Sequence, residues 1–280
     1  MTIEEIKTKL SSQTVPPDLS IINELRRLKK TAVENLDESC ANELWCYEQI
    51  YNIKKDYYEA FQKMKEAAYL SDALDKDGVD SPKSKRYEEV WNALDCCDMS
   101  ISSLEENYCI ADVKMDFFCV NEIEEDCQKL FPLFPYKIFF SREQIIKKEK
   151  CSVCGKVVSV RNPCEHKIGK LYMGEMCYRE VVDVKLLGES MVTKPFDRYA
   201  IAKLQGEKFD FSLLDYISPR IHPYSKWSYK IENKLLPQYN KIGRNDKCPC
   251  GSGKKFKFCI RDDEDKHYKK HFIFQVDKTL

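Results

Sequence analysis

In CANELWCYEQIYNIKKDYYEAFQKMKEAAYLSDAL, residues 40–74, the apolar side chains keep a helical beat. Tyr47, Ile50 and Tyr51, Tyr58, Phe61, Met64 and Ala68 recur every three to four positions and share one broad face. The pattern returns downstream, where Tyr87, Val90 and Trp91, Leu94, Cys97, Ile101, Leu104 and Tyr108 form a second stripe. Between them Asp75–Pro82, DKDGVDSP, reads as a turn or loop. Two long amphipathic helices joined by a short polar segment make an antiparallel helical hairpin. Nothing polar recurs on the aromatic stripe to orient a ligand, so it reads as packing between helices.

Working outward, Pro16-Pro17 splits residues 1–37 into two helix candidates. Asp18 can cap the second, in which Ile21, Ile22, Leu25, Leu28, Ala32 and Leu36 hold helical spacing. The prolines of Phe131–Phe140, FPLFPYKIFF, forbid a helix interior and point to extended chain or an edge strand. Ser141–Lys150, SREQIIKKEK, reads as a short helix or linker.

The 280 residues carry 46 basic and 46 acidic side chains, so the whole chain exerts no net pull on nucleic acid or an anionic membrane. No apolar run approaches bilayer length, and the start MTIEEIKTKL lacks the basic and apolar regions of a signal peptide. The expected location is the cytoplasm. In a reducing compartment the 14 cysteines read as metal ligands or buried thiols rather than disulfides. Cys40, Cys46, Cys96, Cys97, Cys109, Cys119 and Cys127 lack close metal spacing and read as small core hydrophobes. The other seven lie in short turn-rich segments beside Gly, Pro and Lys.

The first such segment is CSVCGKVVSVRNPCEHKIGKLYMGEMC, residues 151–177. Cys151 and Cys154 form a C-x2-C pair relieved by Gly155, VVSV can be a strand, and Asn162-Pro163 turns the chain back to Cys164 and His166. Three sulfurs and one imidazole suit tetrahedral zinc, and Lys156, Arg161 and Lys167 would offset the anionic centre. Cys177 is a fifth candidate that either replaces His166 or stays beside the site as a thiol. The arrangement C-x2-C-G…C-x-H-x2-G-x-x-Y-x-G-x2-C resembles zinc-ribbon-like segments of some phage head and protease-related proteins, an impression that ESMVTKPFDRYAI, residues 189–201, adds to. No catalytic residue carries over from that resemblance.

The second segment is IGRNDKCPCGSGKKFKFC, residues 242–259. Cys248 and Cys250 bracket a proline, Cys259 follows, and Gly251 and Gly253 permit a sharp knuckle whose N–H groups can approach the thiolates. Its Gly243-Arg244-Asn245-Asp246, Cys248-Pro249-Cys250, Gly251-Ser252-Gly253-Lys254-Lys255 and Cys259 closely resemble the SEC-C motif, found at the C-terminus of the preprotein translocase motor ATPase and in many other bacterial proteins. The resemblance implies zinc held by Cys248, Cys250 and Cys259, and contacts with a chaperone and the ribosome. The family usually has Cys or His directly after the third cysteine, where this chain has Ile260, and Phe256 stands where the family often has Tyr. His267, His271, Asp262, Asp263 or water are the candidates for the fourth position.

GSGKK does not make a phosphate loop, because Cys248 stands where the first Gly is needed and Lys255 replaces the magnesium-binding Ser or Thr. No nucleotide is therefore expected. Lys241, Arg244, Lys247, Lys254, Lys255 and Lys257 form a local basic patch fit for an acidic protein surface or ribosomal RNA, and RDDED at 261–265 cuts it short.

The sequence thus leads to a mainly α fold: a helical domain over 1–146, a zinc-ribbon-like α+β unit over 147–182, a partly helical connector over 183–240, a SEC-C-like knuckle over 241–265 and a polar tail over 266–280. The expected function is that of an intracellular zinc-binding adapter whose knuckles dock a protein or ribosome-associated partner, without membrane or sequence-specific nucleic-acid binding. A metal-assisted hydrolase working through an incompletely ligated zinc, and a phage-related or defence accessory protein, are the alternatives. No nucleophile elbow, H-E-x-x-H helix or dinucleotide fingerprint is present, and no catalytic residue is assigned.

Overall fold

The computed structural model describes residues 1–70, 81–108, 113–203, 208–262 and 266–277. Most of the loop expected over Asp75–Pro82, together with Cys109 and Asp263, lies outside the described residues. The chain divides into two compact units, Met1–Tyr224 and Ser225–Leu280.

In the first unit the helical reading of residues 1–108 gives α1 (Ile3–Ser11), α2 (Leu19–Glu34), α3 (Glu38–Tyr69) and α4 (Pro82–Glu105). Each start is capped by a side chain the local sequence supplies. Thr2 forms a capping box with Glu5, and Asp18, Asp37 and Ser81 accept from first-turn N–H groups of the next three helices. Helices α3 and α4 run antiparallel, as the cross-links Cys97 Sγ to Ile53 O (3.3 Å), Lys63 to Glu89 (3.3 Å) and Arg86 to Glu66 (3.6 Å) require. Ile53, Tyr57, Phe61 and Met64 of α3 and Tyr87, Val90 and Leu94 of α4 are fully buried. Most of the aromatic stripe is core, but Tyr58, Ala68 and Tyr108 are only half-buried, and Ile53 and Tyr57 take core positions beside it.

Helix α5 (Val120–Leu130) follows, and then the proline-rich stretch, which starts as a single 3-10 turn. Its Phe131, Phe134 and Tyr136, with Phe139, surround Trp91 at ring-centroid distances of 5.0 to 5.9 Å. Phe131, Phe134 and Tyr136 meet Trp91 edge to face and Phe139 stacks on it, which fastens the end of the helical region to what comes next.

What comes next corrects the mainly α expectation. Strand β1 (Phe139–Cys151) occupies the stretch expected as a helix or linker, and pairs antiparallel with β5 (Arg179–Val192), which lies largely in the expected connector. Among the described residues 45% are helical and 22% are in strands, and the architecture is α+β with three small sheets. Lys- and Glu-rich SREQIIKKEK has helix propensity, but the ladder to a partner some forty residues on overrides it. Between the two long strands lie β2 (Val157–Val158), β3 (Leu171–Tyr172) and β4 (Glu175–Met176). The β3–β4 turn is fixed by Met173 and Gly174, both at positive φ. Gly174 N donates to Asn42 Oδ1 (2.8 Å), and a Cβ there would lie 2.9 Å from Ala41 O, so the hairpin seats against α3 only with glycine at its tip. Helix α6 (Ser212–Ile217) completes the unit.

The second unit is an antiparallel ribbon of β6 (Trp227–Leu235) and β7 (Tyr268–Val276), paired from Trp227↔Val276 to Leu235↔Tyr268. Residues placed in the connector and in the tail are thus partners. The intervening chain, with α7 (Phe256–Asp262), is an elaborated connection at one end of the ribbon. Among the described residues no helix is long and apolar enough to cross a membrane.

One buried charge in α3 has a measurable consequence. Lys54 is 1% exposed, donates to Ser12 O (3.0 Å) and makes no salt bridge among the described residues. Desolvation drives its pKa down to about 8, only partly opposed by Cys119 and Glu122. Near pH 9 the unfolded chain keeps the Lys54 proton that the folded chain has lost, so raising the pH through this window favours folding. Denaturant unfolding of the protein and of Lys54→Met should show the parent gaining about 2 kcal/mol on the variant between pH 7.5 and 9.5. Equal pH slopes would contradict the assignment.

Candidate metal centres

The first centre grows from the end of β1. Cys151 N donates to Lys156 O and Gly155 N to Cys151 O, both at 2.9 Å, which closes a tight knuckle with Gly155 at φ +68. Paired hydrogen bonds between Ser159 and Asn162 turn the chain back, and Lys156 Nζ ties it to Pro163 O (2.8 Å). The result brings one ligand atom each of Cys151, Cys154, Cys164 and His166 within 4.8 Å of one another. A tetrahedron with zinc–sulfur bonds of about 2.3 Å has edges of about 3.8 Å, so the donors lie in range of one ion. His166 Nδ1 is shielded from solvent without a hydrogen-bond partner among the described residues, the condition of an imidazole nitrogen that a metal would satisfy. Its ring stands edge-on to Tyr172 at 4.6 Å.

Cys177 is buried, with Sγ 3.8 Å from Cys151 Sγ. Arg179 donates to it at 3.6 Å and to His166 O at 3.2 Å. The fifth sulfur therefore lies against the cluster but is engaged by a guanidinium. Sequence reasoning missed Arg179 as the cation facing this centre; its one local signal is its place two residues after Cys177. Burial alone would raise the Cys151 thiol, but the N–H groups of Cys154 and Val153 and the thiols of Cys154 and Cys164 bring it down to about 6. A cysteine held as thiolate near neutral pH is ready to ligate. The centre is anchored on the helices through Asn107 Nδ2 to Gly169 O (2.8 Å) and Lys170 Nζ to Glu106 O (2.9 Å).

The second centre lies at the end of the β6–β7 ribbon. Gly243 N donates to Asp246 Oδ2, Phe256 N to Asp246 O and Lys257 N to Arg244 O, so the Gly-Arg-Asn-Asp turn organises the start of α7. Gly251 and Gly253 adopt φ +80 and +72, which favours glycine between the two halves of the knuckle. Cys248, Cys250, Cys259 and His267 each place a ligand atom within 4.8 Å of the others. Cys250 and Cys259 are 3.3 Å apart, and Cys248 Sγ is 3.2 Å from His267 Nε2. His267 immediately precedes β7 and is held there by Leu236 N donating to its carbonyl. Its ring is fully buried between Tyr239 (4.8 Å) and Phe256 (5.8 Å). Of the other candidates for the fourth position, Asp262 is engaged by Lys254 (2.7 Å) and exposed His271 pairs across the ribbon with Glu232; neither is in the cluster.

Ser252 Oγ sits 3.1 Å from Cys259 Sγ, another contact the sequence did not flag. Hydrogen bonding from the Ser252 hydroxyl, then from the Cys248 thiol, brings the Cys250 thiol down to about 6. Burial and the neighbouring thiols push Cys248 up to about 11. The Cys250 thiolate would be a ready ligand, and a metal binding here would displace the protons that the other thiols keep.

Residues 244–259 match the SEC-C motif. Over short stretches the chain is similar to protein translocase subunits SecA. The match to that of Endomicrobium trichonymphae is 90% identical over 26 residues, 9% of this chain and 3% of the relative. With Ehrlichia chaffeensis it is 41% over 71 residues, 25% and 6% respectively, and with Clostridium botulinum 34% over 86 residues, 30% and 8%. The chain thus spans less than a tenth of the length of these relatives. No solved structure matches it.

Proposed function

We propose that this chain is a cytoplasmic metal-binding interaction protein, with zinc at both centres and the C-terminal unit as its docking element. The observation that carries the reading is the convergence of Cys248, Cys250, Cys259 and His267 within a SEC-C motif. Three sulfurs and an imidazole form a soft, closed donor set suited to zinc, with no protein-free position for a reacting water. That favours docking over the metal-assisted hydrolase.

Charge supports an anionic partner. Residues 225–280 carry 14 Lys and Arg against seven Asp and Glu, a net of +7 that the neutral whole-chain balance conceals. The similar proteins are translocase subunits, and this chain's partner is read as a protein or ribosome-associated surface. Co-sedimentation with purified ribosomes tests this. Capture should occur at about 0.1 M salt, weaken steeply by about 0.5 M, and fall at least tenfold in Cys250→Ser while the helical circular dichroism persists. Undiminished capture by the variant, or none by the parent, would overturn the reading.

A further inference from the structure

The β1–β5 ribbon is built for a partner it does not have among the described residues. Among the described residues the two strands, of 13 and 14 residues, pair with each other and otherwise only at the ends of β1, with β2 and through the Phe139–Ile201 bridge. A two-stranded ribbon is marginal in water unless something packs on it. Yet Ile146, Val184 and Leu186 are 47%, 39% and 64% exposed. Ile146 pairs with Val184 and Gln144 with Leu186, so these apolar side chains share one face.

The two long edges differ. The outer edge of β1 is covered at both ends, by β2 opposite Glu149 and Lys150 and by the Phe139–Ile201 bridge with Phe140 N on Ala200 O. The outer edge of β5 pairs with no strand among the described residues. An unpaired edge is a template for another strand unless it is blunted. Val182 and Leu187 of β5 stand opposite no β1 residue, and Lys147 of β1 opposite no β5 residue; β5 itself runs without an extra residue over Asp183–Leu186.

We infer that β5 pairs edge to edge with β5 of a second copy of this chain, antiparallel about a twofold axis at Val184. The occupant follows from charge complementarity. A twofold axis restricts antiparallel self-pairing to registers centred on a single residue. Centred on Val184, Asp183 faces the partner's Lys185 and Lys185 faces the partner's Asp183, with Val184 against its own copy between them. Centred one residue earlier, Asp183 faces Asp183. Centred one residue later, Lys185 faces Lys185. Opposite charges directly across a ladder stabilise it and like charges destabilise it, so the sequence V-D-V-K-L selects one register and rejects its neighbours. Among the described residues Lys185 makes no salt bridge, and the Asp183 carboxylate meets only exposed Lys147 at 3.8 Å. The bulges end the pairing after a few residues, which gives a closed pair rather than a fibre.

Sedimentation equilibrium of the full metal-loaded chain under reducing conditions should give a reversible dimer of twice 32.9 kDa. Asp183→Lys alone and Lys185→Asp alone should each weaken dimerisation by roughly tenfold or more, because each sets like charges face to face twice per dimer. The double variant, Asp183→Lys with Lys185→Asp, restores complementarity and should recover the parent constant. A parent that stays monomeric at about 100 μM, leaving the edge to another partner, would overturn the inference. So would a dimer indifferent to the single substitutions, or single-variant losses that the double variant does not rescue.

Discussion

His267→Ala is expected to release the metal of the C-terminal centre and leave the first centre occupied, so that the protein retains one equivalent where the parent retains two. The imidazole is not an accessory to the knuckle. Its Nε2 lies 3.2 Å from Cys248 Sγ, and its ring is fully buried between Tyr239 and Phe256. Alanine removes both a ligand and the filler of a small core. Even residues one step removed from a metal cost 10- to 100-fold in affinity when replaced, and a direct ligand should cost more than about 100-fold. His271→Ala is the control, since that side chain lies on the ribbon opposite Glu232 and outside the cluster. Competition with a chromogenic chelator reads the affinities. Unchanged affinity in His267→Ala, or an equal loss in His271→Ala, would contradict the ligand assignment.

Removing both metals should unfold the two knuckles and spare the helices. Among the described residues the C-terminal centre is surrounded by a small core of Tyr239, Cys248, Phe256, Cys259 and the His267 ring, with Leu235, Leu236, Ile242, Cys250 and Ile260 packed at its margin. Around the first centre, residues 151–177 bury only the side chains of Cys151, Leu171 and Cys177, with Gly174 at the hairpin tip. Cores of this size do not offset the entropy of ordering their loops, and small modules of this kind draw folding free energy from the ion, about 10–16 kcal/mol in zinc-finger peptides. By contrast α3 and α4 bury Ile53, Tyr57, Phe61, Met64, Tyr87, Val90 and Leu94 completely. Hydrogen exchange after chelation should therefore show amides of 151–177 and 248–262 approaching unprotected rates, with those of α3 and α4 unmoved. Retained protection in both knuckles would mean that the metals are incidental to structure.

The contrast between what was legible in the sequence and what was not has a physical basis. The helical hairpin could be read because its signal is local: one stripe, a 3.6-residue period and capping residues at each start. The cysteine spacings could be read for the same reason, since knuckles bring near neighbours together. The long ribbon could not. Both of its faces are largely exposed, so β1 and β5 lack the alternation that marks a half-buried strand, and their pairing spans a separation that no local pattern records. His267 illustrates the boundary. As one of several residues downstream of Ile260 it could be proposed, but only the pairing of Leu235 with Tyr268 brings it back to Cys248. The basic character of the C-terminal unit was hidden by averaging over a chain whose unit boundary at Tyr224 carries no sharp signal.

X-ray absorption at the zinc edge, with metal stoichiometry on the same native preparation, tests the central claim most directly. Two zinc ions per chain are predicted, with an average shell of three sulfurs near 2.3 Å and one nitrogen near 2.0 Å. A metal-free protein, or a shell dominated by oxygen, would contradict it.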